Sequence, residues 1–369
     1  MRGSRLRMNP VERAIRRVDA AQQKHRASAF TFGVIKKYGD DNGGTLAANL
    51  AHSAFVSVFP LLLLLVTVLV EVASISPSLR DQVVTAAAKE FPVIGSKLVG
   101  KHGNISALHR ATIPSLVIGL LVLLWGAMGL AQAGLFTMEQ VWNLPGPARP
   151  GYVPRLGRAV WFLGVLAVGL AVSTLLGGLV TYGHHELPFR ILDQALAVLA
   201  NVALYLASFR ALTPKGVPTR DLVPGAVTGG VAWTVLQAVG AYVVNHDLHT
   251  ASVYGIFATV LVLLAWIYLG VQVTVYSAEV NAVWRRRLWP RAIVQPPLTE
   301  ADRASMALQA LQNQRRPEQD VAVTFNDRAP GSAEPVRAPR TPEEVKPPGS
   351  PGDGGDRLAQ AEPRGSSHA

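Results

Sequence analysis

The sequence contains no cysteine. That excludes disulfides, thiolate nucleophiles and cysteine-ligated zinc or iron–sulfur centres, and it leaves the redox compartment open. Charge is also sparse: 16% of residues are Asp, Glu, Lys or Arg, against about 25% in an ordinary soluble domain. The shortage is local. Long stretches nearly free of charge alternate with short basic ones, the layout of a helical protein that crosses a bilayer several times. No G-x-x-x-x-G-K-[ST] run occurs, so nucleotide hydrolysis by a P-loop is not expected. The formal charge is +11. Positive-inside topology alone produces such a balance, so no nucleic-acid partner is inferred from it. No cleavable signal peptide is expected either, because the basic segment 1–45 is long and the first apolar run exceeds the length of an h-region.

What is present is clearest in Leu46–Val72, LAANLAHSAFVSVFPLLLLLVTVLVEV. This run has 27 residues and no Lys, Arg or Asp. As a helix it spans about 40 Å, more than the roughly 30 Å of a hydrocarbon core. Asn49, His52, Ser53, Ser57 and Pro60 recur within it at spacings of three and four and are expected on one face. Polar groups at that depth need protein or water as partners. Pro60 cannot donate to the carbonyl of Val56, and Ser57 can donate to a carbonyl one turn earlier. Two readings follow: a helix lining a substrate path and kinked at Pro60, or hydrogen bonding that only holds the bundle together.

Five further spans are expected at about 113–138, 159–183, 192–212, 222–245 and 255–283. The fold class is therefore all-α, a six-helix membrane protein, with domains at 1–45, 46–285 and 286–369. Residues 1–45 hold ten Lys/Arg against four Asp/Glu. Arg149, Arg155 and Arg158 lie between spans 2 and 3, Arg210, Lys215 and Arg220 between spans 4 and 5, and Arg285, Arg286, Arg287 and Arg291 after span 6. On the other side the loop between spans 3 and 4 has only Arg190 and that between spans 5 and 6 has none; the first outer loop, 73–111, has five Lys/Arg but is long and balanced by Asp81 and Glu90. The positive-inside rule puts both termini in the cytoplasm. Gly225 and Gly229 in span 5 are four apart, which suits close helix packing.

Outside the spans, Pro10–Lys24 has Val11, Ala14, Ile15 and Val18 at helical spacing among arginines. It reads as an amphipathic helix, either solvated or lying on an anionic membrane surface. Asp40-Asp41-Asn42-Gly43-Gly44 is a turn and helix-cap signal. The first outer loop, 73–111, suggests one or two short amphipathic helices opening at Ser76-Pro77. After about Pro290 the chain turns rich in Pro, Gly, Ser and charge. It reads as a mostly disordered tail with one well-capped helix over about Thr299–Asn313.

Span 6 places Gln272, Tyr276 and Glu279 on one face. Glu279 is expected to pair with an arginine such as Arg220 or Arg155, or else to be solvated at the helix end. Gln237, Asn245 and Gln272 are candidate path residues beside the first-span stripe. His184-His185-Glu186 and His246-Asp247-x-His249 match no known ligand spacing, so no metal site, catalytic set or cofactor is inferred, and the chain is not read as an enzyme.

Several motifs together resemble the YihY/BrkB family of bacterial inner-membrane proteins. Asp41-Asn42, Thr45-Leu46-Ala47-Ala48-Asn49-Leu50-Ala51 and Ser57-Val58-Phe59-Pro60-Leu61 look like its first helix. Trp142 with Arg149-Pro150, Arg220-Asp221 before Gly225-Ala226, Val253-Tyr254-Gly255, Trp266-Ile267-Tyr268 and Ala278-Glu279-Val280 follow in order. His52 departs from the family habit of Tyr. The resemblance implies a six-helix cytoplasmic-membrane protein, a transporter or flippase of a lipid or other envelope component, with membrane lipids as partners. The alternative is a non-transporting scaffold or regulator. The ribonuclease label once attached to the family has no support in these residues. Substrate, energy coupling and oligomeric state do not follow from the sequence.

Overall fold

The computed structural model describes residues 10–58, 113–181, 187–213, 215–247, 255–295 and 297–325. Among the described residues the architecture is all-helical. We label the α-helices in order: α1 Pro10–Lys24, α2 Arg26–Asp40, α3 43–58, α4 Ile113–Val141, α5 Tyr152–Thr181, α6 Leu187–Leu212, α7 Val223–Asp247, α8 Gly255–Arg286 and α9 Glu300–Gln312. Among the described residues four segments are long and apolar enough to cross a membrane: Leu121–Val141, Gln194–Leu212, Thr219–Tyr242 and Val260–Arg286. The expected first outer loop, Pro60 and Tyr254 lie outside the described residues, as do the side chains of His184, His185, Asn245 and His246 and the chain beyond residue 325.

Sequence neighbours pack against each other: α4 on α5, α5 on α6, α6 on α7 and α7 on α8. Helix α8 then closes back onto α4. The core of this bundle is built from Leu135, Met138, Trp142, Phe209, Leu212, Leu222 and Ala278, all buried. Helix α3 packs Ala51 and Val58 against Leu263 and Ile267 of α8. The outside is the reverse of a soluble protein. Leu121, Trp125, Trp161, Val168, Leu199 and Val235 are exposed, a distribution that hydrocarbon accepts and water does not.

The small-residue pair in α7 works inside the bundle. A Cβ on Gly225 would collide with the Ser277 carbonyl oxygen of α8, and one on Gly229 would meet the Tyr205 ring of α6. Their absence lets three backbones approach, as close packing in membranes requires. The Gly225 N–H, an orphan at the start of α7, donates to Asn281 Oδ1 at 2.7 Å.

Helix α9 begins and ends close to where the sequence places it. The Thr299 hydroxyl accepts from Asp302 N–H while the Asp302 carboxylate accepts from Thr299 N–H, a complete capping box. Ala307, Leu308 and Leu311 then bury one face against Val34 of α2 and Val280, Val283 and Leu288 around the end of α8. Helix α9 is thus docked on the bundle, and Val321 and Val323 pack against the same cluster.

Candidate functional site

Three helices end at one place. Each of α2, α4 and α8 is followed by a residue in the left-handed region: Asn42 (φ 54), Asn143 (φ 43) and Arg287 (φ 51). After α4 and α8 the turn closes with a Schellman bond, Leu144 N–H to Glu139 O at 2.9 Å and Leu288 N–H to Val283 O at 3.2 Å. Helix C-termini carry unpaired carbonyls and partial negative charge. Two cations answer them, Lys37 buried and Arg286 half-buried. Lys37 Nζ donates to Val141 O at 3.1 Å, and the Arg286 guanidinium donates to Trp142 O.

These cations belong to a charge network built on a doubled pattern in α2, Lys36-Lys37-x-x-Asp40-Asp41. The spacing of four puts each lysine beside an aspartate on successive turns. The second pair points inward. Lys37 bonds Asp41 and stands 3.5 Å from Glu279 of α8. Lys37 and Glu279 are both fully buried. Asn143 Nδ2 donates to Asp41 Oδ1 at 3.1 Å and its Oδ1 accepts from Arg286 at 3.2 Å. Two cations and two carboxylates are thereby joined through one asparagine, and their formal charges balance. Glu279 is the exception within the network. Among the described residues neither of its oxygens has a hydrogen-bond partner, and Lys37 has already committed donors to Asp41 and Val141.

The first pair of the doubled pattern faces the other way. Asp302 of α9 accepts from Lys36 Nζ at 2.8 Å, Arg291 Nε at 2.8 Å and Ala292 N–H at 3.0 Å. Arg291, also buried, reaches Asp40 at 2.7 Å. Burial acts to raise the Asp302 carboxyl, but the bonds from Lys36, Ala292, Arg291 and Thr299 outweigh it and hold the group well below the usual carboxylate range. Asn143 Nδ2 also donates to Gln312 Oε1 at 2.9 Å, which links the two clusters through α9.

Tyr38 lies between the lysines and the α3 helix, stacked on Tyr276 at 3.9 Å. Its ring occupies the space a side chain on Gly43 would need. Burial first, and then Tyr276 and Tyr268, push its hydroxyl above the ordinary value.

The positions singled out from the sequence divide into three groups. Asp41 and Glu279 fall within the network, and Asn42, exposed, is the left-handed turn residue next to it. Gly225 and Trp266 are packing positions, the Trp266 ring filling the space left by Gly240. Arg220 is 82% exposed, with Asp221 at 3.9 Å. The expected pairing of Glu279 is corrected: its cation is Lys37, while Arg155 bonds Glu139 at 3.2 Å and Gln132 at 2.6 Å. Solvation of Glu279 is excluded by its complete burial. Arg155 and Arg220 sit on other helix ends, and charge sign alone does not tell which cation α8 meets.

The polar stripe of α3 splits. Asn49 and His52 are exposed and Ser53 is half-buried, its hydroxyl turned back to Asn49 O at 3.1 Å. Ser57 is buried and donates to Ser53 O at 2.8 Å and to Gly126 O of α4 at 2.7 Å. At 100° per residue Ser57 is about 140° round from His52, so the two cannot face the same space. Gln272 is half-buried and donates to the Tyr268 hydroxyl at 3.1 Å, and Gln237 is half-buried on α7. Gly255 opens α8. Lys37 and Asn143 are not singled out by the sequence, and Arg286 only as one of the basic residues after span 6. The doubled Lys-Lys and Asp-Asp at a spacing of four was the available signal for the first of them.

A family model for virulence factor BrkB matches residues 34–297. A UPF0761 membrane protein of Alteromonas mediterranea is 24% identical over 262 residues, covering 67% of this chain and 85% of its own. A UPF0761 membrane protein of Pseudomonas aeruginosa is 29% identical over 166 residues, 42% of this chain and 40% of its own. The putative ribonuclease-like protein YfkH of Bacillus subtilis is 20% identical over 271 residues, 70% of this chain and 96% of its own. No solved structure matches. The matched region contains the whole Lys37–Asp41–Asn143–Glu279–Arg286 network and leaves out α1 and α9. With its apolar outer surface and its match over most of the bundle, the chain belongs to the virulence factor BrkB family of membrane proteins.

Proposed function

We propose that this protein moves a lipid or another amphiphilic envelope component across the cytoplasmic membrane, on six spanning helices with both termini in the cytoplasm. In this reading the network of Lys37, Asp41, Asn143, Glu279 and Arg286 is the latch that closes the cytoplasmic end. The observation that carries it is Glu279: a fully buried carboxylate with no hydrogen-bond partner among the described residues. A buried ion pair contributes little to net stability, and apolar residues of similar size often do better. A contact that adds so little to stability, and leaves one partner half-satisfied, suits an interaction that is broken and remade. Asn49 and His52 add a second argument. Both are exposed on a helix whose sequence is followed by an apolar run, and polar side chains facing hydrocarbon are costly. A path along that face gives them water or a headgroup.

The basic residues support the orientation. Arg155 and Arg158 stand early in α5, Arg210 ends α6, and Arg285 and Arg286 end α8. These are the ends that the positive-inside rule assigns to the cytoplasm. A scaffold or regulator is the second reading. It draws on an open groove of about 390 Å³ where Pro145, Pro147 and Ala148 face Gln314 and residues 317–320, a surface for a partner. The ribonuclease-like name belongs to the Bacillus relative. Metal-assisted RNA cleavage needs clustered histidines and carboxylates, and among the described residues no three such side chains come together.

The test is reconstitution of the full chain into liposomes carrying a fluorescent phospholipid, with an impermeant quencher added outside. A transporter exposes lipid from the inner leaflet faster than protein-free vesicles do. A rate equal to that of empty vesicles, across anionic and zwitterionic lipids and with or without an ion gradient, supports the scaffold instead.

A further inference from the structure

Helix α1 exposes its apolar side. Val11, Ile15 and Val18, at spacings of four and three, share one face and are 63%, 40% and 60% exposed. What fastens the helix is polar. Asp19, the buried side chain of α1, accepts Ile293 N–H at 3.0 Å and Gln23 Nε2 at 2.8 Å. The bond sets α1 beside Ile293, which is itself exposed. Asp19 fastens the helix at Ile293 while the side chains of Val11, Ile15 and Val18 stay exposed, an apolar stripe open to its surroundings.

Position and charge identify that contact. Just after α1, Phe30 packs edge-on against Trp284 and Trp289, at 5.9 and 5.1 Å. Trp284 lies in the last turn of α8 and is half exposed. A tryptophan at the end of a spanning helix sits at the level of the lipid headgroups. Helix α1 is therefore attached at the membrane surface. Residues 1–26 carry eight Lys/Arg and two Asp/Glu. At 100° per residue Arg16 and Arg17 project on either side of the apolar stripe, and Arg13 and Lys24 lie toward the opposite face. An apolar stripe with a basic surround is the pattern of helices that lie in anionic headgroups.

We propose that α1 lies in the headgroup layer of the same bilayer that the bundle spans, with Val11, Ile15 and Val18 inserted and its basic residues held by anionic phospholipid. This inference rests on the protein being in a membrane and not on its transporting anything. It concerns a segment outside the region matched by the family model.

The absence of cysteine makes the test clean. The full chain is prepared as Val18→Cys and, on the opposite face, Ala20→Cys. Each is labelled with an environment-sensitive fluorophore and placed in nanodiscs of phosphatidylcholine alone or with phosphatidylglycerol. Nitroxide-bearing lipids serve as quenchers. The label at position 18 is expected to shift to the blue and to be quenched by shallow nitroxides. The label at position 20 stays water-like. Phosphatidylglycerol strengthens the difference, and Arg17→Gln and Lys24→Gln each lower the docked-to-free ratio by about fivefold. Equal quenching at the two positions, or no response to anionic lipid, overturns the proposal. So does a position-18 signal that follows the number of protein copies per disc rather than lipid type, which assigns the face to a second copy. An Ile15→Asp variant labelled at position 18 is expected to lose the blue shift and the quenching, and unchanged thermal unfolding of the bundle then assigns the loss to docking and not to fold.

Discussion

Removing the Asp302 carboxylate tests how α9 is held. In Asp302→Ala, Lys36, Arg291, the Ala292 N–H and the Thr299 cap lose their shared acceptor. Arg291 is buried, so its guanidinium keeps Asp40 and Ser305 but loses half of its charge compensation. Taking one partner from a buried pair typically costs about 3–5 kcal/mol. The apolar side of α9 opposes undocking. Leu308 and Leu311 are almost fully buried, and each contributes about 1.5–3 kcal/mol. The two quantities are comparable, so α9 should open often without being lost. Amide hydrogen exchange in α9 is the assay, on the full chain in nanodiscs. An opening made easier by about 3–4 kcal/mol speeds exchange roughly 10²–10³-fold, with the amides of α6 and α7 unchanged. Asp302→Asn, which keeps an acceptor but no charge, should fall between. Exchange in α9 of Asp302→Ala at the wild-type rate would refute the reasoning, because it would mean that the apolar face alone docks the helix.

Other outcomes follow from the same geometry. The Asp302 carboxyl is lowered in the folded state, against about 3.9 when unfolded. Its contribution is therefore complete above pH about 4 and is lost as pH falls through the lower folded value. Exchange protection of α9, corrected for intrinsic rates, should be flat from neutral pH to mild acid and drop only below that, with the drop absent in Asp302→Asn. Asn281→Ala leaves the Gly225 N–H buried without an acceptor and should cost about 1–3 kcal/mol in thermal unfolding. Gly225→Ala, which forces a Cβ into the Ser277 carbonyl, should cost at least as much. His52→Phe changes an exposed residue and should leave unfolding within about 0.5 kcal/mol, while slowing lipid movement if the α3 face is a path. An unchanged rate removes His52 from that path.

The helices were the most legible part of the chain. Thr299-x-x-Asp302 ahead of Met306 and Leu308 marks a capped amphipathic helix, and α9 runs from Glu300 to Gln312. Pro10 and the spacing of Val11, Ile15 and Val18 do the same for α1. Local signals suffice where a helix starts and stops through its own residues. The Asp-Asp-Asn-Gly-Gly turn was legible as a turn for the same reason, with Asn42 left-handed. What it serves was not. That Lys37 and Asp41 point inward while Lys36 and Asp40 point toward α9 depends on where α4, α8 and α9 stand around α2. Sequence spacing places residues on a face but does not say what the face meets. The same limit explains the Glu279 pairing. Arg155, Arg220 and Lys37 all lie near helix ends on the basic side, and only packing selects among them. The α3 stripe shows a further limit. Spacings of three and four accumulate, so residues linked pairwise across two turns drift from the exposed side at His52 to the packed side at Ser57.

The central claim is that the contact between Lys37 and Glu279 closes one end of a lipid-transporting bundle and must open for transport. The most direct measurement compares transbilayer lipid movement in liposomes for the wild type, Lys37→Glu, Glu279→Lys and the double exchange, each checked for folding by thermal unfolding. In the doubly exchanged protein the lysine introduced on α8 faces the glutamate introduced on α2, while the bonds of Lys37 to Asp41 and Val141 O are lost, so the return is partial. The account predicts that each single change alters the rate by about tenfold or more, the effect of about 1.4 kcal/mol on the balance between closed and open states. It predicts that the exchange returns the rate toward wild type. Folded single variants moving lipid at the wild-type rate, or an exchange no better than either single variant, would contradict it.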